Sequence, residues 1–345
     1  MDRPGPPEDD PGFRTAGQPG VLREWDGHVW TARWEPSTTT APRYRRRPMA
    51  FLRHRWFITW VIAMMGALAC AVGFLATGWA IALAVAGVAS TVGFALALIL
   101  GVALRLGMTP HPGGPERSTI GPFIWLVGAA SGALAFPLSM AIEQVVKAQV
   151  TNGDRIQLWL AGPIEESSKL LLPVVLWFAL ASRMRDPRIG CAVALISGAT
   201  YGVIEGCLAS ATMALTAARE GGGMGELVFK TAVVLLQRPT AELLHALLTA
   251  GIAAFAWRAA WGRRSIITGP FLAAALVAMA IHSVNDGVIA AMLPGPWQLL
   301  LLPLVLVGTY LLFTKAGARA LVPPSRIPEN PPGWRPRFLR IQSAA

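Results

Sequence analysis

Residues 161–177 read AGPIEESSKLLLPVVLW, two adjacent glutamates and a lysine inside a run otherwise apolar enough to cross a membrane. Each ionisable group costs on the order of 3 kcal/mol at the centre of a bilayer, so a chain that keeps three of them there uses them. Composition fixes the solvent in which they must be read. Hydrophobic residues make up 54% and charged residues 14% of the chain, with a mean hydropathy of +0.49, which excludes a large soluble enzyme and predicts an integral membrane protein. The net charge of +11 is not a nucleic-acid footprint, because most of the basic residues flank apolar runs and so act as topology signals. About fifty-five polar, Pro-rich residues precede the first apolar run, which predicts a chain without a cleaved signal peptide. Cys70, Cys191 and Cys207 are scattered through apolar segments and have neither disulfide nor zinc-ligand spacing.

Apolar runs of bilayer length predict an all-α, polytopic transmembrane bundle of about eight spans, at 57–76, 79–104, 119–142, 156–181, 188–216, 239–257, 266–292 and 297–314. Residues 226–237 are apolar but short and precede Arg238-Pro239, so they read as a re-entrant or interfacial helix or as the first part of a kinked sixth span. Arg43, Arg45, Arg46, Arg47, Arg53, Arg55, Arg105, Arg117, Arg183, Arg185, Arg188, Arg258, Arg263, Arg264, Lys315 and Arg319 fall on one side of that layout. Lys147, Arg155, Arg219, Lys230 and Arg238 fall on the other. The asymmetry predicts a multi-pass plasma (inner) membrane protein with both termini cytoplasmic. The expected organisation is a cytoplasmic arm at 1–55, a transmembrane domain at 56–316 and a basic, Pro-rich cytoplasmic tail at 317–345.

At 1.5 Å per residue, Glu165, Glu166, Glu205 and His282 come to lie about 15 Å below the proposed outer surface and His245 about 9 Å, with Asp286 one turn beyond His282. Groups at one level on four successive spans can pair, hold water or bind a metal, whereas isolated charges facing lipid are expensive. Each also has a plainer reading. Glu165 and Lys169, four residues apart, can form an ion pair on one helix face, although Glu166 then points about 100° away. Glu205 can hydrogen-bond a neighbouring helix, His245 can be a packed histidine, and Asn285 or Asp286 can hold His282 in a polar core cluster. Glu242 reads as a membrane-surface residue outside the centre. His28, His54 and His111 fall in polar or loop segments and are set aside. Pro163 predicts a helix that weakens or restarts just ahead of the glutamates, and Pro173 allows a second bend.

Carboxylates and imidazoles around buried water suit hydrolysis. A shielded carboxylate takes a proton from water and returns it to the leaving amine, while imidazoles stabilise an oxyanion or, with a carboxylate, hold a catalytic zinc. The sequence contains no HExxH, GxSxG or GxGD signature. A proton- or cation-coupled transporter using the buried Glu and Lys groups, and a non-catalytic membrane scaffold, are the competing readings.

PIEESSK at 163–169, YGVIE at 201–205, HALLTAG at 245–251 and HSVND at 282–286, in that order, resemble the PrsW family of intramembrane proteases, relatives of the CAAX-processing and bacteriocin-immunity membrane endopeptidases. The likeness covers about residues 57–315. Tyr201 stands where Phe is usual. The resemblance implies an endopeptidase that cleaves a membrane-associated protein, such as an anti-sigma-factor-like regulator, with Glu165 or Glu166 activating water and Glu205, His245 and His282 completing the centre. Lys169 would balance or orient the glutamates, Asn285 and Asp286 would support His282, and Glu205, His245 and His282 are the expected ligands if zinc is present. The segment at 19–36, PGVLREWDGHVWTARWEP, resembles a tryptophan-rich WDGxxWT module of actinobacterial membrane proteins. Trp25, Trp30 and Trp34 predict a small turn-centred aromatic cluster suited to binding a cytoplasmic protein partner.

Overall fold

The computed structural model describes residues 12–15, 21–25, 30–36, 55–105, 122–150, 152–179, 187–220, 223–263, 267–293 and 295–321. Ahead of the helices, β1 (Gly12–Thr15), β2 (Val21–Trp25) and β3 (Trp30–Pro36) form an antiparallel sheet in the order β1-β2-β3. Trp25 and Trp30 are register partners across the β2–β3 pair, and a bulge separates Arg23 from Trp25. The side chains of the expected aromatic cluster, and His28, His54 and His111, lie outside the described residues.

The rest is helical. The elements are α1 (Arg55–Thr77), α2 (Ala80–Arg105), α3 (Pro122–Gln149), α4 (Gly153–Ala179), α5 (Pro187–Glu220), α6 (Met224–Ala232), α7 (Arg238–Arg263), α8 (Gly269–Val284) and α9 (Gly295–Leu321). Gly78, at φ 68°, turns the chain between α1 and α2, its N–H capping the Phe74 carbonyl. Asn152, at φ 61°, occupies the left-handed region at the α3–α4 hairpin, a conformation that asparagine tolerates. Among the described residues, seven helical segments are long and apolar enough to span a membrane. The eighth long helix, α4, falls short of that apolarity because Glu165, Glu166 and Lys169 are part of it, and these three are buried inside the bundle.

The segment read as re-entrant or as part of a kinked span takes the second form. Its helix, α6, passes through a π-helical stretch at Val233–Gln237 straight into α7. The wider turn accommodates Pro239, which has no N–H for the Leu235 carbonyl, and Ser90 Oγ from α2 donates to that oxygen instead at 2.7 Å. The expected restart at Pro163 does not occur, since α4 is continuous through both of its prolines. Pro173 leaves the Lys169 carbonyl without its helical donor, and Ser197 Oγ of α5 fills the gap at 3.0 Å. Neighbouring helices repair the backbone that proline would otherwise break.

At the centre, α5 lies against α7, surrounded by α2, α3, α4, α8 and α9, with α1 outside α2. Ala192, Leu195, Ala246, Leu247, Ala250 and Trp257 are fully enclosed there. Ile62, Leu126, Leu276 and Leu304 point outward, as lipid-facing residues must. Gly198 sets the α5–α7 approach, because a Cβ there would lie 2.5 Å from the His245 carbonyl oxygen. Small residues at such contacts let membrane helices approach backbone to backbone.

Candidate active site

Four helices, α4, α5, α7 and α8, deliver the centre. On α4, Lys169 lies four residues after Glu165 and three after Glu166, so one ammonium reaches both carboxylates, at 3.1 and 2.9 Å. The 100° between adjacent helical positions does not separate the two glutamates, because a long side chain one turn on spans both directions. The same Nζ is 2.6 Å from His245 Nδ1 of α7 and lies 4.2 Å above the Tyr201 ring of α5. Tyr201, in the position where Phe was expected, uses its hydroxyl to reach Ser139 of α3 at 2.6 Å.

The two glutamates are held differently. Glu166 Oε1 meets Lys169 and, at 3.0 Å, His282 Nδ1 of α8, while its Oε2 accepts from Thr249 Oγ1 at 2.6 Å. Three donors on a fully enclosed carboxylate make Glu166 a fixed anion. Glu165 Oε2 accepts from Lys169 and faces both imidazoles, at 3.6 Å from His245 Nδ1 and 3.5 Å from His282 Nε2. The imidazole centroids are 4.8 Å apart. His282 Nε2 is 3.2 Å from Asp286 Oδ2, and Asn285 donates to the other Asp286 oxygen at 2.9 Å. Asn285 and Asp286 belong to a π-helical stretch, Asn285–Ala290, that continues α8.

The structure therefore brings together Glu165, Glu166, Lys169, Glu205, His245, His282 and Asp286, with Asn285 beside them. It does not gather Glu205, His245 and His282 about one point. Glu205 approaches His245 at Nε2, 3.1 Å away, whereas Lys169, Glu165 and, through them, His282 lie on the Nδ1 side of the ring. One ion bound to one nitrogen of His245 cannot take both Glu205 and His282. Two other groups have ligand atoms close enough for a shared cation, Glu165-His245-His282 and Glu205-Glu242-His245. The first has the better outer partners, although Lys169 Nζ sits 2.6 Å from the same His245 Nδ1 and 3.1 Å from the same Glu165 Oε2, so a cation would take the place of that ammonium. Each imidazole there has a carboxylate on its far nitrogen, Glu242 for His245 and Glu166 for His282, as metal-bound histidines require. His282 Nε2 is moreover a buried atom without a hydrogen-bond partner. In the second group the far nitrogen of His245 would face the Lys169 ammonium, which has nothing to accept with.

Sequence reasoning missed several members. Glu242, read as a surface residue, is 3% exposed and 3.3 Å from His245 Nε2. Its position three residues before His245 was the signal, since residues one turn apart share a face. Thr249, four residues after His245, carried the same signal. Glu143 of α3 is buried with Gln157 of α4 donating to it at 2.9 Å, and no motif marked it.

Helices that enclose carboxylates and imidazoles within a membrane-length bundle define a polytopic membrane protein with a buried acid–imidazole centre. Residues 114–314 match the family described as PrsW family intramembrane metalloprotease, and the chain belongs to that family. It is a multi-pass membrane protein and an intramembrane protease. No curated protein and no solved structure matches the chain.

Proposed function

We propose that the chain hydrolyses a peptide bond in a membrane-embedded regulatory protein, of the anti-sigma-factor kind, with Glu165 as the base toward water. The observation that carries this reading is the unequal bonding of the paired glutamates. Glu166 is saturated by Lys169, His282 and Thr249, whereas Glu165 faces the two imidazoles with lone pairs to spare. A carboxylate in that state takes a proton from water and returns it to the leaving amine. His282 is held at Nδ1 by Glu166, which leaves Nε2 either to hold a cation or, in a metal-free centre, to donate toward a developing oxyanion. Lys169 holds the glutamates and His245 in register. Glu165, His245 and His282 would hold a divalent cation, zinc being the first candidate from this donor set, and when bound it supplies Lewis-acid polarisation of water and carbonyl.

Glu205 and Asp286 are the most accessible acids of the centre, with side chains 36% and 25% exposed, and substrate approaches past them. Comparing membrane proteomes of cells carrying the wild-type chain and Glu165→Gln should reveal a single-span protein that loses its processed form. Identical processing in the two strains would defeat the reading.

A further inference from the structure

We propose that Glu242 is the positioning residue of His245, and that Glu205 is thereby left free to accept a backbone N–H of the peptide substrate. The inference rests on the hydrolytic reading above. Two carboxylates converge on one imidazole nitrogen, with Glu205 Oε2 at 3.1 Å and Glu242 Oε2 at 3.3 Å from His245 Nε2. Lys169 donates to Nδ1, so the neutral ring has one proton, on Nε2, for two acceptors. Alignment decides between them. Glu242 makes the hydrogen bond, whereas Glu205 Oε2, though nearer, is a buried atom with no hydrogen-bond partner.

The surroundings of the two acids differ in the same sense. The Glu242 side chain is 4% exposed, and its second oxygen lies 3.4 Å from Arg238 Nη1, one turn earlier on α7. Glycine on α5 makes room for it. A Cβ at Gly202 would lie 2.2 Å from the Glu242 carbonyl oxygen, and one at Gly206 would lie 2.9 Å from Glu242 Cγ. A carboxylate so fixed holds the imidazole plane and makes the far nitrogen, Nδ1, a better acceptor for Lys169 and a better ligand for a cation that takes the place of its ammonium. The Glu205 side chain is 36% exposed while its Oε2 is buried against His245, so its other oxygen is the one that faces the opening, and among the described residues no hydrogen bond reaches that oxygen. An extended peptide in the site has unpaired N–H groups that lipid cannot satisfy, and Glu205 meets that need.

The test uses the full chain in detergent, titrated with Co²⁺ and assayed on fluorescent casein. Glu242→Ala should weaken Co²⁺ binding about 10- to 100-fold and lower kcat similarly, with KM within about twofold of wild type. Glu242→Gln, whose amide oxygen still accepts an N–H, should recover part of both losses. Glu205→Gln should keep Co²⁺ affinity and raise KM. If Glu205→Gln weakens Co²⁺ as Glu242→Ala does, or if Glu242→Ala leaves Co²⁺ affinity and kcat unchanged, the assignment is overturned. Absence of casein cleavage in every form, with Co²⁺ affinity lost only in the Glu242 variants, would count against the hydrolytic reading while supporting the role of Glu242. A chain that neither binds Co²⁺ nor cleaves casein overturns both.

Discussion

Two neighbouring glutamates are held differently because their neighbours differ. Glu166 accepts from three buried donors, and Glu165 accepts from Lys169 while facing the imidazoles. Both Glu165→Gln and Glu166→Gln should lower cleavage by about 100-fold or more, the first by removing the base and the second by releasing Lys169 and His282. Their effects on stability should separate. Replacing Glu166 weakens charge-assisted hydrogen bonds at a fully buried carboxylate and should cost about 2 kcal/mol, whereas replacing Glu165 should cost much less. Thermal unfolding of the purified variants in detergent checks this, and equal melting temperatures would contradict the division. The sequence made the pair legible as functional from the price of burying charge. It did not distinguish the two, because Thr249 and His282 reach Glu166 from 83 and 116 residues away.

At the scale of elements, prolines that should break helices are absorbed by hydroxyls on neighbouring helices. Ser197 replaces the N–H that Pro173 denies to Lys169, and Ser90 does the same for Leu235 opposite Pro239. Ser197→Ala should therefore destabilise the chain by about 1–3 kcal/mol. In a Pro173→Ala background the loss should shrink, because alanine has the backbone N–H that proline lacks and returns the helical donor. A double-mutant cycle on thermal stability measures the coupling, and additive losses would show that Ser197 acts otherwise. Hydropathy located the helices, and the continuity of α4 through Pro163 and of α6 into α7 was not legible. Periodicity reports a residue's own preference, whereas the rescue of Pro173 and of Pro239 comes from a partner helix.

For the whole molecule, the distribution of arginine and lysine predicts that residues 182–188 and 258–265 face the cytoplasm, while 143–155 and 217–238 face outward. In a chain lacking Cys70, Cys191 and Cys207, a cysteine at position 152 should react with a membrane-impermeant reagent in intact cells, and one at 185 should not. The reverse pattern would place the centre nearer the opposite face. The sequence by itself determined the solvent, the helical class and the motif-bearing spans, because bilayer burial demands apolar runs of fixed length and makes each exception conspicuous. It also determined that His245 and His282 belong with the acids, through the order of motifs. Only the tertiary structure decided which side of the His245 ring each acid takes: Glu205 and Glu242 at Nε2, Glu165 and Lys169 at Nδ1. That choice depends on how far α5 can approach α7 across Gly198, Gly202 and Gly206, and on the π-helical stretch that precedes α7. Both are relations between segments, and neither is carried by the spacing within any one of them.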